Sequence, residues 1–328
     1  MSKYFISIII PVHNGAKTLG LCLESVFKSS YPNFECIVVD DCSTDKTIEI
    51  AESFDIKALR LDRQQGAAHA RNRGAEAAKG DILLFIDADV TIYPNTLEKV
   101  AENFENNPTI SALFGSYDDQ PGHSNFLSQY RNLLHHYIHQ TSLEDASTFW
   151  TGCGAIRRDV FLKIGQFNEK RRMMEDIEIG YKLKAKNHKI RLVKELIVKH
   201  FKHYSFVNLL KSDLIDRAIP WTVLMLSNKN YTTDLNLKTS HKLSAIILVL
   251  LIISAFIATM SSWFVLVIPI LLLLLFFYMN SDFYHFFLKK RGFLFTLKVI
   301  PFHLLYYFYS SLGYLVGLYK YHLKKELY

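Results

Sequence analysis

Two aspartates, Asp87 and Asp89, lie near the end of the stretch GDILLFIDADV. Their residue type and spacing could bind a metal ion. They follow Ile82 to Ile86, an apolar run typical of a central strand that is covered on both faces. In an open parallel sheet, the ligand crevice lies at the carboxyl ends of the strands. Two carboxylates at that place suit a hard divalent cation that bridges to phosphates. A plain Asx-type turn is the alternative interpretation.

A second acidic pair, Glu175 and Asp176, opens a predicted helix that runs from residue 173 to residue 187. Carboxylates in a first turn are stabilised by the helix dipole, so capping alone would account for them. The functional alternative is a general base on the far wall of the crevice.

Histidines and small residues supply further candidates. His135 and His139 are four residues apart on a predicted helix, a geometry that can bind metal, although without a nearby acidic partner packing is the favoured interpretation. His200 lies near the end of a predicted strand. Gly152 and Cys153 belong to a turn of small residues where the backbone can approach a ligand closely.

Alternating strand and helix patterns predict an α/β fold with a mostly parallel sheet and flanking helices. Asp40 and Asp41 end the second strand, so two acidic strand ends would face one crevice. Pro94 suits the first position of the helix that follows it. The predicted strands are 5–12, 35–39, 56–61, 82–86, 109–117, 148–157, 189–195 and 197–201, and the predicted helices are 19–26, 46–54, 65–79, 95–106, 124–140, 158–164, 173–187 and 205–226.

The C-terminal part of the chain is apolar enough for a membrane. No charged residue lies between Leu243 and Ser281, which predicts spans at about 243–260 and 263–280 with a turn at Ser261 and Ser262. A third apolar helix is expected at about 293–319. Basic residues flank it on both sides, which a straight crossing cannot satisfy under the positive-inside rule. We therefore expect two spans and a third helix that is interfacial or partly re-entrant.

Composition excludes several classes of protein. The net charge of +7 comes largely from Lys and Arg near the apolar segments, where anionic headgroups are the expected partner. The sequence has no basic stripe interleaved with aromatic residues, which is the pattern that would predict binding to nucleic acid. The four cysteines form no CxxC pair and no zinc spacing, which predicts reduced thiols in a cytosolic domain. The N-terminal apolar run ends at Pro11 and predicts a first strand rather than a signal peptide.

Five stretches, taken together, resemble the family-2 glycosyltransferases of the GT-A fold. The resemblance covers residues 5–225, and the apolar tail is similar to that of members anchored at the bilayer. It implies a catalytic domain at 1–226, an amphipathic and basic linker at 227–242 and a membrane domain at 243–328. The matching stretches are IIIPVHNGAKTLGLCLESV, IVVDDCSTDKT, GAAHARNRGAEAAKGDILLFIDADV, TGCGAIRRDVFLKIGQFNE and MEDIEIGYKLK.

The resemblance also implies roles on the donor side. Pro11 and His13 would line the base pocket, Asp41 would accept a hydrogen bond from the uracil ring, and Arg71 would support the nucleotide. Asp87 would contact the ribose region. Asp89 would hold Mg²⁺ or Mn²⁺ on the diphosphate, and His200 resembles the histidine that completes this metal site in some members. The alternative for His200 is an ordinary histidine at a strand end.

On the acceptor side, the resemblance makes Asp176 the base that deprotonates the acceptor hydroxyl, with Glu175, Gly152 and Cys153 nearby. A single displacement of this kind inverts the anomeric centre. The implied enzyme moves one sugar from a nucleotide-sugar donor, with UDP-sugar favoured, to a membrane-associated acceptor such as a polyprenyl-linked glycan. We expect a multi-pass protein of the cell membrane with its catalytic domain on the cytoplasmic side.

Departures from the family pattern concern the acceptor. Gly165-Gln166-Phe167 stands where many members have Gly-Gly before the phenylalanine, and Gln-x-x-Arg-Trp does not follow the Glu-Asp pair, which argues against a processive synthase. Two other functions compete with transfer. A sugar-phosphate nucleotidyltransferase would carry a Gly-rich basic loop after the first strand, which residues 11–15 do not offer, and a non-catalytic nucleotide-binding membrane protein would bind nucleotide without turnover. A transporter would need more spans.

Overall fold

The computed structural model describes residues 4–228, 238–260 and 263–325. Contacts between residues divide the chain after His203 into two compact units. The first contains the sheet and every predicted site residue, and the second contains the apolar helices.

One mixed sheet organises the first unit, and its described strands run in the order β3-β2-β1-β4-β8-β6-β9-β5, with β7 paired to β9. The four strands β3, β2, β1 and β4 are parallel, as are β6 and β9, whereas β8, β5 and β7 pair antiparallel with their neighbours. The strands are β1 Ile6–Val12, β2 Phe34–Asp40, β3 Lys57–Arg60, β4 Ile82–Ile86, β5 Val90–Ile92, β6 Ile110–Tyr117, β7 Asp145–Ala146, β8 Cys153–Arg157 and β9 Lys189–His200.

The central strands form because their apolar runs are buried on both faces. All of β1 and all of β4 are buried, and Ile8 of β1 lies beside Leu84 of β4 and Cys36 of β2. Since these strands are parallel, Val12, Asp40 and Ile86 end at the same edge of the sheet.

Helices cover both faces of this sheet. In α4, for example, Leu97, Val100, Ala101 and Phe104 recur at helical spacing and are buried. The helices of the first unit are α1 Leu19–Phe27, α2 Thr47–Glu52, α3 Ala67–Ala77, α4 Thr96–Asn106, α5 Phe126–Gln140, α6 Arg158–Lys163 and α7 Glu175–Ala185.

The structure corrects three predictions about local elements. Pro94 is not the first helical residue, because Tyr93 to Thr96 form a turn in which the Thr96 N–H donates to the Tyr93 carbonyl and Asn95 is the N-cap. The predicted strands 189–195 and 197–201 are one strand, β9, whose register against β6 shifts opposite Gly115. The strand predicted to start at residue 148 begins only at Cys153, because the chain turns so tightly that a Cβ on Gly154 would lie 2.2 Å from the Trp150 carbonyl oxygen.

The second unit begins with a helical segment that the sequence assigned to the catalytic domain. It comprises α8 Phe206–Leu210, a π-helix Lys211–Ala218 and α9 Ile219–Ser227, which follow one another without a break. Its contacts group it with the C-terminal helices rather than with the sheet, so the division between the units precedes the predicted boundary at residue 226.

The described residues of the second unit form four further helices: α10 Thr239–Thr259, α11 Val267–Met279 after a 3₁₀ turn at Trp263–Leu266, α12 Ser281–Arg291 and α13 Phe293–Lys325. Among the described residues, Thr239–Thr259 and Phe293–Leu323 are long and apolar enough to cross a membrane, and α11 with α12 qualifies as a pair bent by 61°. The predicted turn at Ser261 and Ser262 and most of the predicted linker lie outside the described residues.

Candidate active site

The carboxyl end of β4 carries Asp87 and Asp89, as the sequence predicted. They flank Ala88 in a tight turn that the Val90 N–H closes on the Asp87 carbonyl at 3.0 Å. About a third of each aspartate side chain is exposed, 33% for Asp87 and 32% for Asp89. The turn therefore presents two accessible carboxylates beyond a fully buried strand.

His200 lies beside Asp89 because β5 and β9 pair there. Val90 is opposite His200 in the ladder, and the next N–H, that of Phe201, donates to the Asp89 carbonyl at 2.8 Å. As a result, His200 Nε2 is 3.6 Å from Asp89 Oδ2, and the imidazole is only 6% exposed. Residues 111 positions apart in the sequence thus meet as a carboxylate and an imidazole.

This pair fits a divalent cation held together with a diphosphate. Carboxylate oxygen and imidazole nitrogen are ligands that Mn²⁺ and Mg²⁺ accept, with carboxylate preferred by the harder ion. Burial opposes the ionisation of Asp89, yet His200 and Lys202 outweigh it and hold the pKa of the carboxyl below its usual value. Over the described ranges, no group of three His, Cys, Asp or Glu side chains gathers as a complete metal site. Phosphate and water oxygens would have to supply the remaining ligands.

Arg71 of α3 joins the two acidic motifs. Its Nη2 donates to Asp87 Oδ1 at 2.8 Å, and its Nη1 donates to Glu175 Oε1 at 2.5 Å. Burial by itself would lower the pKa of this guanidinium, but the carboxylates of Asp87, Glu175 and Asp176 outweigh burial and hold the pKa above its ordinary value. The structure therefore uses the predicted nucleotide-supporting arginine to hold the end of β4 against the start of α7.

Asp176 lies in the first turn of α7, next to this ion-pair network, and its Oδ1 accepts the N–H of Ile177 at 2.8 Å. Burial and the neighbouring Glu175 carboxylate raise the pKa of Asp176 to about 7, against the opposing effect of Arg71. A carboxyl with such a pKa can exchange a proton near neutral pH, which a general base requires.

His13 and Asp41 lie together at the ends of β1 and β2. His13 Nδ1 donates to the Asp41 carbonyl at 2.8 Å, and the imidazole is exposed at the edge of the sheet. The Asp41 side chain is nearly buried, and its two oxygens accept the N–H groups of Gln65 and Gly66 at 2.8 and 2.7 Å. Asp41 thus anchors the loop that leads into α3, a role that the sequence did not predict. Pro11 is buried within β1.

Gly152 and Cys153, predicted on the acceptor side, differ in where they lie. Cys153 is fully buried and pairs with Ile86 across β4 and β8, so its side chain packs in the core. Burial raises the pKa of its thiol to about 12, which keeps it protonated. Gly152 lies against the Trp150 indole, where a Cβ would come within 2.2 Å of the ring. Of the two, only Gly152 belongs to the turn that precedes the strand.

An aromatic cluster behind His200 was missed from the sequence. The Tyr117 ring stacks on His200 with centroids 4.1 Å apart and planes 6° apart, and Trp150 meets Tyr117 edge to face at 4.8 Å. His135 and His139 join the cluster through Trp150, which agrees with the packing interpretation. Tyr117 ends a buried strand and Trp150 lies just before a turn, so only the fold brings them together.

The comparisons with known proteins agree with this fold. Residues 7–165 match the glycosyl transferase family 2. An uncharacterized glycosyltransferase of Haemophilus influenzae is 34% identical over 190 residues, which cover 54% of this chain and 61% of the relative. The UDP-Glc:α-D-GlcNAc-diphosphoundecaprenol β-1,3-glucosyltransferase WfgD of Escherichia coli is 37% identical over 123 residues, 36% of this chain and 47% of the relative. The chain thus spans less than two thirds of each relative.

Two solved structures share the architecture. The mannosyltransferase PcManGT from Pyrobaculum calidifontis, in complex with GDP-Man and Mn²⁺, has a TM-score of 0.61 at 15% identity and covers 95% of this chain and 87% of its own. TarS of S. aureus in complex with UDP-GlcNAc has a TM-score of 0.52 at 22% identity and covers 69% and 68%. The GT-A-type fold expected from the motifs is therefore confirmed, and the match of residues 7–165 supports the resemblance to the family-2 glycosyltransferases.

Proposed function

We propose that this protein is an inverting, metal-dependent glycosyltransferase that moves one sugar from a nucleotide-sugar donor to a membrane-associated acceptor. The observation that carries the proposal is that Arg71 forms ion pairs with both Asp87 and Glu175. It thereby holds the proposed donor-binding aspartates and the pair that contains the proposed base in one site. Asp176, with a pKa of about 7, is adjacent to that bridge. A site with a proposed metal-binding pair on one side and a proposed general base on the other would suit the displacement of a diphosphate by a hydroxyl.

The donor would lie along the carboxyl ends of β1, β2 and β4. In this proposal Pro11, His13 and Asp41 line the base pocket, since each Asp41 oxygen has a second lone pair besides the one that accepts a backbone N–H. Asp87 contacts the ribose region while Arg71 fixes its carboxylate. Asp89 and His200 would hold Mg²⁺ or Mn²⁺, which would supply positive charge against the leaving diphosphate.

Asp176 takes the proton of the acceptor hydroxyl in the proposed reaction. The freed oxygen forms a bond to the anomeric carbon as the bond from that carbon to the diphosphate breaks, and the bonding electrons leave with the diphosphate. Attack occurs opposite the leaving group, so the anomeric configuration inverts in one step. Glu175 and Gly152 would lie on the acceptor side of the crevice.

The substrate classes are proposed from the relatives. WfgD is named for transfer from UDP-Glc to a diphosphoundecaprenol-linked sugar, and TarS is described with UDP-GlcNAc. A UDP-sugar and a polyprenyl-linked acceptor are therefore favoured for this chain, although the mannosyltransferase with GDP-Man shows that the fold also accepts a guanine nucleotide. Apolar helices in the second unit support a place at the membrane. Basic flanks of these helices favour a cytoplasmic catalytic domain.

The test is nucleotide release by the purified full-length protein, given a panel of UDP- and GDP-sugars, Mn²⁺ or Mg²⁺, and polyprenyl-linked acceptors. We expect release of UDP only when metal and acceptor are both present. Asp176→Asn and Asp89→Ala should each lower turnover by about 10²–10⁴-fold, whereas Asp159→Asn, an exposed carboxylate of α6, serves as the matched control. Full activity of Asp176→Asn would remove it as the base, and no release with any donor would refute the proposed function.

A further inference from the structure

The helices α10 and α11 form a hairpin whose open end is marked by polar side chains. Asn280, directly after α11, donates from Nδ2 to the Ser244 hydroxyl near the start of α10 at 3.0 Å. The 21 residues of α10 measure about 31 Å, which matches the hydrocarbon core of a bilayer. If the hairpin crosses the membrane, Asn280 and Ser244 lie close to one of its surfaces.

The middle of α13 lies at that same open end. Tyr307 is near the midpoint of α13, and its hydroxyl accepts from His241 Nδ1 at 2.8 Å and donates to Asn280 Oδ1 at 3.3 Å. His241 is the third residue of α10. A helix that crossed the bilayer would place its midpoint at half the depth of the hairpin. Tyr307 lies instead at the level where α10 begins and α11 ends.

The N-terminal half of α13 is flanked by a charged helix. The chain bends by 61° between α11 and α12, and α12 then packs on α13 through Phe283 against His303, with ring centroids 3.9 Å apart, and through Phe287 against Phe295 at 6.1 Å. This short helix carries Asp282, Lys289, Lys290 and Arg291. Charged side chains of this density are costly inside a hydrocarbon core.

The C-terminal half of α13 is flanked by a second charged segment. The Tyr309 hydroxyl donates to Asp213 at 2.5 Å, and Cβ atoms built on Gly313 and Gly317 would come within 2.6 Å of Ala218 and Thr222. The residue numbers rise together, so the segment 213–222 runs parallel to α13. It carries the buried Asp213 and the Arg217 that lies 3.8 Å from it. Both halves of α13 therefore lie beside segments that carry charged side chains.

The opposite face of α13 is an exposed apolar stripe. It consists of Leu297, Phe308, Leu312, Leu315 and Tyr319, which recur at helical spacing. The exposed Lys298 and Lys320 lie toward the two ends of this stripe. Helices that lie in the membrane interface typically have one apolar face, a second face beside charged side chains, and basic residues near their ends.

We propose that α13 lies in the headgroup boundary of the bilayer, with its apolar stripe toward the acyl chains, and that only the α10–α11 hairpin crosses the membrane. Length and composition alone admit α13 as a span. Its contacts decide otherwise, because they place its midpoint at the hairpin's open end and charged helices along its length. The chain then enters and leaves the bilayer on one side, and the end of α13 shares a side with the residues that precede α10.

Nitroxide labels measure this arrangement directly. The full-length chain, in a Cys42→Ser background because the other cysteines are buried, is labelled at Leu297→Cys, Phe308→Cys or Leu315→Cys and reconstituted into vesicles of phosphatidylcholine and phosphatidylglycerol. Depth is read from the relative collision rates with oxygen and a water-soluble nickel chelate. The matched controls are Ile246→Cys and Phe256→Cys, two exposed positions on α10.

An interfacial α13 places all three labels at a similar depth, about 5–10 Å below the headgroups, while the two α10 labels differ in depth by about 15 Å. A spanning α13 would instead separate Leu297 and Leu315 by about 27 Å in depth. That result overturns the proposal, and so does a set of labels on α13 and α10 that never contact lipid.

Sidedness provides an independent measurement. A membrane-impermeant maleimide is applied to inverted and to right-side-out vesicles that carry His322→Cys near the end of α13 or Leu143→Cys on the sheet unit, both exposed positions. With two crossings, both cysteines react from the same side. Reaction from opposite sides would require a third crossing and would overturn the proposal.

Discussion

At the scale of residues, one buried arginine determines which acidic side chain can act as the base. Arg71 is 6% exposed and touches both Asp87 and Glu175. Since Glu175 is engaged with this guanidinium, the adjacent Asp176 is the member of the pair left to exchange a proton. Three carboxylates around one cation also leave excess negative charge, which favours the protonated form of Asp176 and explains the direction of its shifted pKa.

The pH dependence of transfer follows from that shift. Burial, Glu175 and Asp87 raise the pKa of Asp176 to about 7, while Arg71 and the Ile177 N–H oppose them. A base must be ionised to act, so turnover at saturating donor should rise with pH up to about 7 and level off above it. Glu175→Gln removes a negative neighbour and should move the rise to lower pH. A profile of kcat that is flat from about pH 5 to 8 would contradict the assignment.

Tyr117 is predicted to position His200 through the stacked rings. Tyr117→Leu removes the ring that lies 4.1 Å from the imidazole, whereas Tyr117→Phe keeps it. We expect the leucine variant to weaken Mn²⁺ binding in the presence of UDP about tenfold, as loss of a supporting group around a metal ligand does, and the phenylalanine variant to bind normally. Calorimetric titration with Mn²⁺ measures both. Equal affinities for the two variants would exclude a positioning role.

At the scale of elements, α3 is the connection between the walls of the site. Besides Arg71, it carries Asn72, whose side chain accepts from the Phe167 N–H and donates to the Phe167 carbonyl at 3.1 and 2.9 Å. His69 reaches Glu169 at 2.8 Å. The loop before α7 also contains Met174 with a φ of 68°, a conformation that a non-glycine residue adopts only under constraint. The start of α7 is therefore held from α3.

Gly180 is predicted to set the approach of α7 to the chain before β8. A Cβ at this position would lie 2.5 Å from the Thr148 Cα, so Gly180→Ala must displace backbone and should lower the free energy of unfolding by about 1–3 kcal/mol. Gly20→Ala in α1 is the control, because its Cβ would meet only Ile50 at 3.9 Å. Thermal unfolding in detergent measures both. Equal transition temperatures would show that α7 can shift without cost.

At the scale of the whole molecule, the two units differ in how their apolar side chains are buried or exposed. The sheet unit has its own core, centred on β1 and β4. In the second unit, Trp221 and Leu224 of α9 are buried in the full chain, and exposed apolar side chains cover α10 and α11. We therefore expect the segment 206–227 to be stable only with the C-terminal helices.

Truncated chains test whether the segment 206–227 folds with the sheet unit or with the C-terminal helices. A chain that ends at His203 should be soluble and monodisperse, whereas one that ends at Ser227 exposes Trp221 and Leu224 and should aggregate. Size-exclusion chromatography at equal protein concentration compares them. If the longer fragment is the monodisperse one, the segment 206–227 belongs to the sheet unit, as the sequence predicted.

Local pattern was sufficient for much of the fold. Buried strands such as β4 and acidic turns such as Asp87 to Asp89 can be recognised from consecutive residues. A strand that is buried on both faces requires an apolar run, and the turn at its end requires polar side chains. The five motifs were sufficient to indicate the family that residues 7–165 match. Helix ends were predicted less well, as at Pro94, because a turn hydrogen bond from Thr96 outweighs the local preference of proline.

What the sequence determined by itself is most of the strands and helices in their order, the acidic strand ends and the apolar tail, since each depends on neighbours along the chain. Only the tertiary structure decided that Arg71 pairs with two carboxylates, that Tyr117 stacks on His200 and that α13 meets the open end of a hairpin. These contacts join residues from 16 to 104 positions apart in the site. Sequence spacing carries no information on them, because they form only where the sheet and the helices close on one another.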